Sequence, residues 1–184
     1  MKELFAILLG GVLLNNYALQ SFLGVSTFLG SSKETKKAAA MGAAVTVVML
    51  LSGICCWLLD TFVLSTLKAA YLQPLLFTAV ILAVACLIGY AVKAVFKKSL
   101  GIFFPLLALN SAVLGAAVNN ASAGYTFIQA LVSSFAVGAG FTLAMVLFCG
   151  IRSKINEKYV PAAFRGLPIY LMAASILALT LFAF

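Results

Sequence analysis

Two short stretches hold most of the polar chemistry available to this chain. One runs from Asn15 and Asn16 through Gln20 and Ser21 to Ser26, and the other is Asn110-Ser111. Their side chains are amides and hydroxyls. They offer neutral oxygens that can accept from backbone N–H groups or face a cation, and amide N–H groups that donate. Stronger catalytic groups are scarce. His is absent, which removes the commonest general base and metal ligand. The only acids are Glu3, Glu34, Asp60 and Glu157. The four cysteines, Cys55, Cys56, Cys86 and Cys149, form no C-x-x-C pair. Cys55 and Cys56 are adjacent, so they point to different faces of a helix and do not chelate one metal unaided. All four read as buried small hydrophobes, with a disulfide or metal site as the minor alternative.

Composition decides what must position these groups. Of 184 residues, 65% are apolar and 9% charged. A soluble domain is about half apolar and about a quarter charged, so a water-soluble enzyme is excluded. A disordered tail or nucleic-acid module needs far more charge, and no nucleic-acid partner is expected. The net charge of +8 is instead a topology signal.

Six stretches are long and apolar enough to span a bilayer. They are Leu4–Gly30, Ala38–Leu59, Tyr71–Val95, Gly101–Asn119, Thr126–Ile151 and Leu167–Phe184. Ten of the 12 Lys and Arg residues fall in the first, third and fifth linkers or, for Lys93, at the edge of the third. Those linkers are therefore expected in the cytoplasm and both termini outside, in a multi-pass protein of a bacterial or archaeal cytoplasmic membrane. Lys2 ahead of an apolar run has the look of a signal peptide. The run continues through Asn15 and Asn16 without a small-residue cleavage site, so it reads as the first span. Trp57, Tyr71 and Tyr159 read as interfacial anchors. Asp60 reads as an anchor or helix-end partner, and Arg165 as a topology or headgroup-binding residue.

The chain also repeats itself. Ser26-Thr27-Phe28-Leu29-Gly30 matches Ser111-Ala112-Val113-Leu114-Gly115 as S-x-x-L-G. Gly42-Ala43-Ala44-Val45-Thr46-Val47-Val48-Met49 matches Gly138-Ala139-Gly140-Phe141-Thr142-Leu143-Ala144-Met145, sharing Gly, Ala, Thr and Met in register. The matches pair spans one to three with spans four to six. An odd number of spans per half makes this an inverted-topology repeat within one domain, 1–184, its halves about 1–95 and 96–184. The first and fourth spans carry too many polar and helix-weakening residues for regular lipid-facing helices, and are expected to be broken. Asn15, Asn16, Ser26, Asn110 and Ser111 would then form a central site near the bilayer midplane. The scattered Ser and Thr read as helix–helix glue.

At these residues the sequence resembles the Rnf–Nqr membrane subunits, most closely the RnfA (RsxA) type of Rnf electron-transport complexes, related to NqrD and NqrE of the Nqr sodium pump. The matching stretches are Leu14-Asn15-Asn16-Tyr17-Ala18-Leu19, Phe22-Leu23-Gly24, Leu58-Leu59-Asp60-Thr61, Gly101-Ile102-Phe103-Phe104-Pro105-Leu106, Asn110-Ser111-Ala112-Val113-Leu114-Gly115 and Val160-Pro161-Ala162-Ala163-Phe164-Arg165-Gly166. The resemblance implies six spans, an inverted repeat and broken first and fourth helices. It implies pairing with an oppositely oriented homologue, an RnfE-like protein, within a larger complex. It further implies a two-iron two-sulfur (2Fe-2S) cluster shared between the pair, each supplying two cysteines, for electron transfer coupled to Na⁺ or H⁺ movement.

The chain departs from that pattern at two places. The family motifs Phe-Leu-Gly-x-Cys and Asn-Cys-Ala-Val-Leu-Gly stand here with Ser26 and Ser111 in place of cysteine. Clusters are held by thiolates, with His the usual substitute, so these positions are expected not to ligate and no cofactor or metal is expected on this chain. The carboxylate usual near the end of the third span is replaced by Gly89. The chain reads as a divergent member. It is not catalytic alone and is at most one component of a translocase-type oxidoreductase. Two other readings stand beside it. One is an autonomous transporter or substrate-binding membrane module on the same inverted-repeat fold. The other is a purely structural partner protein, in which Gly42, Ala43, Ala44, Gly138 and Gly140 let helices approach closely.

Overall fold

The computed structural model describes residues 2–14, 16–30, 34–67, 70–96 and 110–182. Among them the fold is all helix. The helices are α1 (Lys2–Leu9), α2 (Tyr17–Gln20), α3 (Val25–Gly30), α4 (Thr35–Leu59), α5 (Gln73–Phe96), α6 (Ser111–Ser122), α7 (Phe127–Lys154) and α8 (Leu167–Phe182). Short 3₁₀ turns lie at Ala70–Leu72, Glu157–Tyr159 and Ala162–Phe164.

Among the described residues three segments are long and apolar enough to cross a bilayer: Thr35–Leu64, Gln73–Ala91 and Phe127–Lys154. Leu167–Thr180 is a shorter apolar helix. Large apolar side chains such as Phe62, Leu75, Leu87 and Leu179 point outward, as a lipid-facing surface requires. Lipid tails carry no penalty for this, so the outward surface here is not a solvation cost.

The long helices start and stop on readable signals. Thr126 and Gln129 form a reciprocal capping box at the start of α7, and Arg152 and Lys154 occupy its last turn, where cations favour the helix dipole. Pro74 sits in the first turn of α5, where its missing N–H costs nothing. One boundary differs from the sequence reading. The apolar pattern ends the second span at Leu59, but the helical segment continues through a wide π-helical turn at Asp60–Leu64. Asp60 therefore lies inside that segment rather than after it.

The core forms where α4 and α7 cross, the largest interface among the described elements. Val45, Val48, Met49, Phe141, Met145 and Phe148 are fully buried there, with Phe77 of α5 against them. Over half of the apolar window of α7 is buried within the protein against 22% for α5, so α7 is central and α5 peripheral. Close approaches at two glycines fix the crossing. A Cβ at Gly42 would meet Thr142, and one at Gly138 would meet Thr46. The partner number falls as the α4 number rises, so the two helices run antiparallel, as an inverted repeat demands.

Side-chain contacts tie segments together at each end of the bundle. Gln129 Nε2 donates to Glu3 Oε2 at 3.5 Å, and Trp57 Nε1 donates to the Tyr125 carbonyl at 2.9 Å. These contacts gather the start of α1, the far part of α4 and the α6–α7 loop at one end. At the other end the Arg152 guanidinium lies 4.4 Å from the centre of the Tyr170 ring, joining the end of α7 to the start of α8.

Candidate functional site

The first predicted span is broken twice. After α1 the backbone widens into a π-helical turn at Gly10–Leu14, and Asn16 is non-helical before α2. A second break, Ser21 to Gly24, precedes α3. Phe22 has φ 51° and Gly24 φ 77°. The second value is a left-handed conformation that glycine adopts without penalty. Breaking a helix frees backbone groups that must find partners in an apolar setting. Local side chains supply them: Thr27, fully buried, donates its hydroxyl to the Gly24 carbonyl. Asn16 is buried and its Nδ2 donates to the Gly140 carbonyl of α7 at 2.8 Å and to the Val12 carbonyl at 3.3 Å. That reach depends on glycine at 140, since a Cβ there would lie 2.8 Å from the Gly11 carbonyl oxygen.

The first nine residues of the fourth predicted span, 101–109, lie outside the described residues. What is described is its second part, α6, which begins abruptly at Ser111. Asn110 is its cap, with Oδ1 accepting from the Ala112 N–H at 3.0 Å. The Asn110 side chain is buried, and its Nδ2 has no hydrogen-bond partner among the described residues. At 12 residues, α6 is about 18 Å long, too short to span about 30 Å of hydrocarbon alone.

The second break meets the start of α6. The Gly24 N–H donates to Ser111 Oγ at 2.8 Å, so the N-termini of α3 and α6 converge. Leu23 packs over Gly115, and the ring of Phe141 lies against Gly24. Ser111 is the first residue of α6 and Ser26 the second of α3, and both are exposed on the surface of this chain. Of the five residues expected at a central site, Asn110 and Ser111 sit at this junction with Ser26 beside it. Asn16 sits one break earlier, against α7, and Asn15 lies outside the described residues. Two helix N-termini pointing together make a region of positive potential lined by hydroxyls and an amide.

Comparison with known proteins decides what this arrangement belongs to. The family profile described as "Rnf-Nqr subunit, membrane protein" matches residues 4–184. The chain belongs to the Rnf–Nqr family. Its relatives include RnfA-type proteins, each named for its place in an ion-translocating oxidoreductase complex. The one from Syntrophotalea carbinolica is 46% identical over the whole chain and 97% of its own length. Those from Serratia proteamaculans and Escherichia fergusonii are 42% and 41% identical over the same shares. Ser26 and Ser111, the two positions where the family motifs read from the sequence have cysteine, both lie at the α3–α6 junction as hydroxyls. The thiols lie elsewhere. Cys55 and Cys56 are on α4, Cys86 on α5 and Cys149 on α7. Cys56 and Cys149 are buried as expected, whereas Cys55 and Cys86 are exposed, because neighbouring helix positions face lipid at no cost.

Sequence reasoning missed one polar pair. Asn120 of α6 donates from Nδ2 to Ser134 Oγ at 3.1 Å, and both side chains are buried. Asp60, inside its own helical segment, partners the start of α5 instead, its Oδ1 accepting from Gln73 Nε2 at 2.8 Å. The signal available for Asn120 was the doublet Asn119-Asn120 inside an apolar run, which read only as part of a broken span.

Proposed function

We propose that this chain is the RnfA component of an ion-translocating oxidoreductase complex in a bacterial cytoplasmic membrane, with its termini on the outer face. The observation that carries the reading is the full-length relationship to proteins of that kind, at 46% identity with 97% of the relative covered. The convergence of α3 and α6 at the family's two cysteine positions supports it. The partners that follow are an oppositely oriented homologue, RnfE-like, and the electron-carrying proteins of the complex. The exposed Ser26 and Ser111 put the junction at the surface of this chain, where a second membrane protein can complete it.

The donor set at this junction does not fit a 2Fe-2S cluster. A cluster binds thiolates, and a serine hydroxyl of very high pKa is a poor replacement. Ser111 Oγ also already accepts the Gly24 N–H. The chain is therefore proposed to contribute its fold and ion-path residues to the complex without ligating iron. The test is genetic. Deleting the gene should abolish ion-coupled electron transfer by membrane vesicles, and the intact gene should restore it. Unchanged coupled activity in the deletion strain would remove the chain from the complex.

A further inference from the structure

The Asp60 carboxylate opens into a cavity of about 270 Å³ between α4 and α6 that also takes in Trp57, Thr61, Ser65 and Asn120. Asp60 opens the π-helical turn Asp60–Leu64. Single π turns inside long helices recur at functional sites because they redirect side chains out of the regular ladder. Among the described residues Asp60 has one hydrogen-bond partner, Gln73, and no cation. Asn120, 5% exposed, lines the same cavity. Its Nδ2 donates to Ser134 Oγ and to the Ala130 carbonyl, and a carbonyl can only accept, so the amide orientation is fixed. That leaves Asn120 Oδ1 buried with no partner. A buried acceptor without a donor costs about 1–3 kcal/mol. Asp60 brings a carboxylate and Asn120 an amide oxygen without a donor to the lining of one cavity, and together they call for a positive guest.

We propose that this cavity is a monovalent-cation site. Its ligands are hard oxygens: the Asp60 carboxylate, Asn120 Oδ1 and the Thr61 and Ser65 hydroxyls. Oxygen ligands suit hard cations, and divalent sites of this kind gather several carboxylates. Here a single carboxylate balances a single positive charge. The site stands at the end of the bundle that holds the start of α1 and the α6–α7 loop. Tyr125 of that loop also lines a second cavity of about 270 Å³, which reaches Asn119, Ser133 and Tyr17. Tyr17 adjoins Asn16 at the first helix break. The two cavities share Tyr125, and use of the Asp60 site by a transported ion rests on the function proposed above.

Trp57, the only tryptophan in the chain, lies in the cavity wall and reports on it directly. The purified full chain in detergent is titrated with NaCl against N-methylglucamine chloride at constant ionic strength while Trp57 emission is followed. A saturable response to Na⁺ is expected, weakened about tenfold or more in Asp60→Asn, which keeps the shape and loses the charge. Asn120→Asp adds a second carboxylate and should shift preference toward Ca²⁺, a gain that misfolding cannot imitate. Identical Na⁺ and N-methylglucamine curves, an Asp60→Asn curve matching wild type, or Ca²⁺ saturating the wild type far below Na⁺ would each overturn the site. A complex that assembles around a chain blind to Na⁺ removes the site alone. A chain that binds Na⁺ but joins no complex removes the proposed function alone.

Discussion

The hydroxyls of Thr46 and Thr142 lie 3.1 Å apart where α4 and α7 cross. Each also lies 2.9 Å from the carbonyl four residues earlier in its own helix, Gly42 for Thr46 and Gly138 for Thr142, so one hydroxyl gives its single proton to its own helix while the other can give its proton across the crossing. Each glycine in turn faces the other helix's threonine. The contact is reciprocal, so one Gly-x-x-x-Thr unit, used twice and inverted, builds the centre of the fold. With lipid outside and no hydrophobic drive between helices, close backbone approach and shared hydroxyls are what hold such a crossing together.

Gly138→Val should weaken this crossing. The added Cβ would lie 2.7 Å from Thr46 Cγ2 and 2.9 Å from Thr46 Cα, so the backbones must separate. A loss of about 1–3 kcal/mol is expected, read as a lower unfolding midpoint in detergent. Gly150→Ala in the same helix meets nothing within 4 Å and should be neutral or slightly stabilising. Equal effects at both sites would place the close approach elsewhere.

Asn110→Ala should destabilise the start of α6 by about 0.5–2 kcal/mol through loss of the cap to Ala112. Asn110→Asp keeps the capping oxygen and should lose much less. Hydrogen exchange of the first α6 amides distinguishes the two, and equal protection in both variants would contradict the capping role.

Asn16→Leu should cost about 1–3 kcal/mol, because it removes the donor to Gly140 in the middle of an apolar bundle. The loss should appear as faster proteolysis or exchange around Gly10–Gln20, with the α4–α7 crossing still protected. Wild-type protection across that segment would show that the break does not depend on Asn16.

Iron content tests the serine positions. The wild-type chain purified anaerobically should carry no stoichiometric iron and no cluster EPR signal. Ser26→Cys with Ser111→Cys, together with a cysteine-bearing partner protein, should acquire both. Stoichiometric iron in the wild type, or an iron-free double variant beside that partner, contradicts the assignment of these positions.

The fold was largely legible because a bilayer reduces the choices. Apolar runs gave the long helices Thr35–Leu64, Gln73–Ala91 and Phe127–Lys154, and the polar cluster in the first span marked where a regular helix had to yield. Asn110 and Ser111 were visible as polar residues out of place, and the structure puts them at a helix start. Asn16 was visible in the same way, but its partner Gly140 is a contact between distant segments that no local pattern encodes. The run of α4 past Leu59 was not legible, since a π turn leaves no mark on apolar periodicity. The Asn120–Ser134 pair and the Asp60 cavity depend on how α4, α6 and α7 pack, and so emerge only in three dimensions.

The central claim is that this chain works inside a multi-protein complex. The most direct measurement is purification of the tagged chain from its native membrane in mild detergent, with quantitative mass spectrometry of what accompanies it. The account predicts an oppositely oriented homologue together with flavin- or iron–sulfur-bearing proteins, in fixed ratio to the chain. A chain recovered alone, or only with copies of itself, would contradict it.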